Sequence, residues 1–86
     1  MCSPQDFSSL LRLRIVADAD PGAIARVLER FQNLNVIPRR VAAEFGIDHI
    51  VHIEVDVFGM SEAQMELITA KLRQSISVTN AYWRPM

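Results

Sequence analysis

Apolar and polar residues alternate over residues 10–17, with Leu11, Leu13, Ile15 and Ala17 on one side and Arg12, Arg14 and Val16 on the other. A period of two predicts a strand with one buried and one wetter face. From residue 23 the period lengthens. Ile24, Val27, Leu28 and Phe31 recur at i, i+3, i+4 and i+7, with Leu34 continuing the stripe and Arg26, Glu29 and Arg30 opposite, which predicts an amphipathic helix. The helix is expected to stop near Asn33-Leu34-Asn35, because asparagine tolerates left-handed geometry. Val36 and Ile37 then open a second strand, which Pro38, lacking an N–H, assigns to a sheet edge.

That strand runs towards a tight turn at Gly46-Ile47-Asp48. Residues 49–58 carry the longest strand signal, with His49, Val51, Ile53, Val55 and Val57 alternating against Ile50, His52, Glu54, Asp56 and Phe58. The two strands read as a hairpin. Gly59-Met60-Ser61 is a second strand-to-helix switch, and Ser61 with Gln64 forms a capping-box pattern. Met65, Ile68 and Leu72 make the next helical stripe, with Leu67 at its flank. Glu62 and Glu66 near its start, and Lys71 and Arg73 near its end, suit the helix dipole. A last strand is predicted over residues 76–83, with Val78, Asn80 and Tyr82 alternating against Ser77, Thr79, Ala81 and Trp83.

The order β-α-β-β-α-β predicts an α+β, ferredoxin-like domain over residues 9–84, after a flexible lead-in at residues 1–8. Its four-stranded antiparallel sheet carries both helices on one face. Right-handed crossovers put the first and third strands at the centre, in the order four-one-three-two. The other face carries Arg12, Arg14, Val16, Ile50, His52 and Phe58, and its apolar members point to a partner surface. An edge strand and a thin core also favour a homodimer.

Composition narrows the function classes. A chain of 86 residues, 50% hydrophobic and 22% charged, is one folded domain rather than a disordered segment. Its formal net charge of −1 provides no general attraction for nucleic acid or an anionic membrane. The lone Cys2 excludes an internal disulfide. No apolar run is long enough to span a membrane, and the start shows no secretion-signal pattern, so a cytoplasmic protein is expected.

Candidate chemistry is sparse. His49 and His52 fall on opposite strand faces, a poor geometry for one metal ion. No serine has a placed histidine and carboxylate. Neither catalysis nor a cofactor is expected. The same element order serves RNA readers, but the central strand offers Arg12 and Arg14 without an aromatic, and Glu54 and Asp56 would repel phosphate. An RNA-binding domain is therefore the lesser alternative.

The turn Asp18-Ala19-Asp20-Pro21-Gly22-Ala23 is the main candidate site. Asp20 is expected as N-cap, with Pro21 at the first helical position. The amides of Gly22 and Ala23 could then receive a ligand carboxylate, Asp18 or Asp20 could receive an amino group, and Asn35 adds another polar opening. Equally, Asp20 could only cap and Pro21-Gly22 only turn.

The run from Leu13 to Leu28, with Asp20-Pro21-Gly22 at its turn, resembles the opening of an ACT domain, and Asn35-Val36 resembles the Asn-Ile or Asn-Val step that follows. Among such proteins the chain looks most like the short regulatory small subunit of acetohydroxyacid synthase (acetolactate synthase). That resemblance implies a non-catalytic subunit, paired through its ACT domains, that activates a large thiamine-diphosphate catalytic subunit in branched-chain amino acid biosynthesis. The cofactor would belong to the partner. A small amino-acid ligand is also implied, at the turn around Gly22 and at the position of Ile37. This sequence departs from valine-responsive relatives there, with Ala19 and Ile37 in place of asparagines. The departures imply assembly and activation without strong feedback sensing. A free-standing ACT domain that binds an amino acid, or acts as an interaction module, is the alternative.

Overall fold

The alternation that opens the sequence becomes β1 (Leu10–Asp18). Leu11, Leu13, Ile15 and Ala17 are buried on its inner face. The computed structural model describes residues 10–86, so the predicted lead-in lies outside the described residues. Helix α1 (Ala23–Asn33) buries Ala23, Val27 and Phe31. It ends as the asparagines suggest. Asn35 takes φ 59°, and the Asn35 and Val36 N–H groups donate back to the carbonyls of Gln32 and Phe31. This satisfies carbonyls that the helix end would otherwise strand.

Strands β2 (Arg40–Phe45) and β3 (Ile50–Phe58) form the hairpin, α2 (Glu62–Arg73) crosses back, and β4 (Val78–Pro85) closes the sheet. The sheet order is β2-β3-β1-β4, the predicted topology, and its neighbouring strands are antiparallel. Met65, Ile68 and Leu72 from α2 join Val27 and Phe31 from α1 over the inward residues of β1 and β3 in one apolar core. Thr69 is also fully buried there, because its hydroxyl donates to the Met65 carbonyl at 2.7 Å and so brings no unmatched polar group inside. The Ser61–Gln64 capping box is present in both directions.

Four local expectations change. Val36 and Ile37 lie before β2, not in it. The helix-ending turn and Pro38 occupy that stretch, and sheet bonding starts where Arg39 N–H reaches the Asp56 carbonyl at 2.8 Å. His49 belongs to the hairpin turn, with φ 63°, instead of opening β3. In β4 the alternation slips. Ala17 pairs with Val78 but Val16 pairs with Asn80, so Thr79 is an extra residue. Such a bulge resets which side chains face inward, and Val78 packs against the core together with Ala81 and Trp83. Ile76, predicted as the start of this strand, is fully exposed in the preceding loop.

Candidate functional site

The turn between β1 and α1 is built by Asp20, although not as the N-cap. Gly22 holds that position and makes no side-chain cap bond. Asp20 Oδ1 accepts the Gly22 N–H at 2.7 Å, and the Asp20 carbonyl accepts the Ala23 N–H at 3.1 Å. Its other carboxylate oxygen pairs with Arg26. The Arg26 guanidinium, with the Gly22 N–H second, holds the Asp20 carboxyl below its usual range. Pro21 therefore sits in the turn ahead of the helix. Gly22 has an ordinary negative φ. Its value is space, since a Cβ there would come within 2.8 Å of the Arg26 guanidinium. The two amides expected to receive a ligand carboxylate are thus both bonded to Asp20. Asp18 is exposed, and its N–H is tied to the Ser77 carbonyl at 2.8 Å.

Asn35 and Ile37 stand elsewhere. Asp18 pairs with Ile50 at one end of the sheet. Arg40, just after Ile37, pairs with Asp56, which pairs with Arg12 at the opposite end. The eleven residues of α1 separate the two groups by about 16 Å at 1.5 Å per residue. Within one chain, Asp18, Asp20, Gly22 and Ala23 are brought together, while Asn35 and Ile37 line a different, open hollow with Leu28 and Pro38. Ile37 itself is almost fully exposed.

The uncovered face of the sheet carries the densest chemistry. Arg12 grips Asp56 with two bonds, 2.7 and 2.9 Å long. Glu54 accepts from Arg14 at 2.8 Å and from Arg40 at 2.7 Å. Of the residues expected to form a partly apolar partner surface, Arg12 and Arg14 thus belong to a ladder of ion pairs running across β2, β3 and β1, and Val16, Ile50, His52 and Phe58 share its face. The Arg12 guanidinium keeps the Asp56 carboxyl low despite its burial, and Arg40 followed by Arg14 does the same for Glu54. Beside the ladder is a broad hollow of about 560 Å³, whose walls include Val16, Glu44, His52 and Tyr82. Among the described residues, no three His, Cys, Asp or Glu side chains are arranged to hold a metal ion. No helix there is long and apolar enough to cross a membrane.

Sequence reading placed Arg12 and Arg14 on this face, and Glu54 and Asp56 too, but did not pair them. The signal was available: basic residues two apart on one central strand match acidic residues two apart on the other. The Asp20–Arg26 pair left no comparable signal, because a turn and a helical turn separate its members.

Residues 5–86 match the sequence profile of the ACT-like domain family. No curated protein matches the chain. Among solved structures, the C-terminal domain of the MgtC protein from Mycobacterium tuberculosis superposes with a TM-score of 0.73. The match covers 99% of this chain and 94% of that one at 15% identity. The ACT domain from GTP pyrophosphokinase of Chlorobium tepidum gives 0.72, covering 90% of this chain and all of that one at 17% identity. An uncharacterised protein from Thermotoga maritima gives 0.63, with 90% and 95% covered at 16% identity. At these identities what is shared is the fold.

Proposed function

We propose that this chain, which belongs to the ACT-like domain family, is a non-catalytic regulatory subunit that works by assembly, pairing with a second copy and docking on a larger enzyme. The observation that carries this reading is the open edge of β2. Gly46 N–H donates to the Ile50 carbonyl at 2.7 Å, and inward bonds alternate along an antiparallel pair, so Glu44 and Ala42 also bond towards β3. Val41, Ala43 and Phe45 then direct their N–H and C=O groups outward, unshared with any strand among the described residues.

A two-fold pairing of β2 with its copy, centred on Ala42, uses those groups. It sets Arg40 opposite Glu44 of the second copy on the uncovered face and Val41 opposite Ala43 on the helix face. Centring on Arg40 or on Glu44 would oppose like charges. Ala43→Pro removes an outward donor and no bond to β3. A folded monomer is expected by sedimentation, against a wild-type dimer. A monomeric wild type, or a dimer that survives the substitution, would sink the pairing.

For the larger enzyme, the resemblance around Asp20-Pro21-Gly22 and Asn35-Val36 supports the large catalytic subunit of acetohydroxyacid synthase, in the cytoplasm. Amino-acid sensing at the β1–α1 turn is not part of the proposal, because Asp20 already holds the Gly22 and Ala23 N–H groups. Mixing the chain with the catalytic subunit from the same organism should raise acetolactate formation and yield a larger complex. Separate elution with an unchanged rate would reject this partner while leaving the β2 pairing intact.

A further inference from the structure

We propose that the groove between α1 and α2 binds a small organic anion, a carboxylate with a short aliphatic tail. Arg30 from α1 and Lys71 from α2 border one open hollow of about 380 Å³, together with Gln74 and Ser75. A smaller hollow of about 40 Å³ adjoins it, sharing Arg30 and Ser75. Its floor is apolar, made by Ala17, Val27, Leu72 and Val78, with Arg26 and Ser77 at its border. The small residues Ala17, Ala23 and Ser75 leave this space where the two helices meet the end of the sheet.

Charge argues for an occupant. On the uncovered sheet face, Arg12, Arg14 and Arg40 are answered by Glu54 and Asp56. In the groove, Arg26 is answered by Asp20. Arg30 and Lys71, like Arg39 and Arg84, have no acidic group within ion-pair distance among the described residues, and Arg30 and Lys71 border one and the same hollow. Two cations facing one hollow repel, and Arg30 is partly buried. An anion between them removes the repulsion and receives charge-assisted hydrogen bonds. The hydroxyls of Ser75 and Ser77 bond each other at 3.2 Å, which leaves one hydroxyl proton free to donate to a carboxylate.

Size and polarity select the rest of the ligand. The inner hollow, about 40 Å³ where one water needs about 10–15 Å³, has room for a short aliphatic group. Its aliphatic floor favours carbon over water. A branched or short straight-chain carboxylate places its charge at Arg30 and Lys71 and its tail over Val27 and Leu72. This site adjoins the β1–α1 turn at Ala23 and Arg26 but does not use the Gly22 and Ala23 amides, which are already taken. It stands independently of the β2 pairing, because Arg30 and Lys71 lie away from that edge.

The test is a titration of the full chain with isobutyrate, followed by backbone amide NMR, with isobutyramide and inorganic phosphate as parallel arms. Isobutyrate is expected to shift Leu72, Ser75, Ser77 and Val78 saturably, and the neutral isobutyramide is not. Arg30→Gln combined with Lys71→Gln should weaken isobutyrate by about tenfold or more. Lys71→Gln alone, which changes only an exposed side chain, should weaken it several-fold. Absence of saturable shifts, or equal affinity in these variants, overturns the site. Phosphate binding as tightly as isobutyrate overturns the aliphatic tail.

Discussion

The two faces of the sheet are made by alternate residues of the same strands, yet different forces hold them. On the covered face, Leu13, Val55 and Phe31 are wholly removed from water. Such burial is non-directional, and any well-fitting apolar neighbour contributes. On the uncovered face, Asp56 is 3% exposed but is there only because Arg12 and Arg40 reach it from the strands on either side. The first face tolerates exchange of partners. The second depends on named pairs, each worthless without its other half.

The largest break of that contrast is on the covered side. Phe31→Ala empties the centre of the α1 interface and should cost about 3–5 kcal/mol, much of the stability of a domain this size. Chemical denaturation checks this, and the loss should be the same at low and high salt. Asp56→Ala acts on the uncovered side and should cost about 2 kcal/mol, since it removes both bonds that hold Arg12, whose end remains near water, while Arg40 keeps Glu54. Here added salt should shrink the loss by screening the freed charges. A salt-independent loss at Asp56 would mean that packing, not pairing, holds that face.

A smaller effect sharpens the comparison through pH. Glu54 and Asp56 have native carboxyls held low by their arginines. Their contribution is present in full above the unfolded carboxylate range, around pH 4, and is lost as pH falls through the depressed native values. Between about pH 5 and about pH 3, the wild-type melting temperature should fall more steeply than that of Asp56→Ala. Parallel slopes would remove the ladder from the account of acid stability.

The same distinction explains what could be read in advance. The covered face was legible residue by residue in β1 and β3, because burial follows a period that the chain displays locally. The Asn35 helix end and the Ser61 capping box were legible for the same reason, each being decided within a few residues. The slip at Thr79 was not, because a bulge is settled by the partner strand, and it carried Val78 to the core side against its own local alternation. His49 was misread because a turn that must close imposed a left-handed backbone on a residue whose neighbours suggested a strand. Of the candidate site, the turn at Asp20 was legible as a turn. That its carboxylate would hold both Gly22 and Arg26, and so close the amides to a ligand, was not.

By itself, then, the sequence determined the element order, the sheet topology and the identity of nearly all the core, since periodicity and capping are properties of short stretches of chain. Tertiary structure decided which charges meet, because the register that sets the matching rows of β1 and β3 opposite each other is not fixed locally. Arg12 and Asp56 are 44 positions apart, and Arg30 and Lys71 come to border one hollow only because two helices lie side by side. Coulomb attraction and repulsion depend on distances that the fold creates, so the paired face and the unanswered cations of the groove emerge only once the chain has closed on itself.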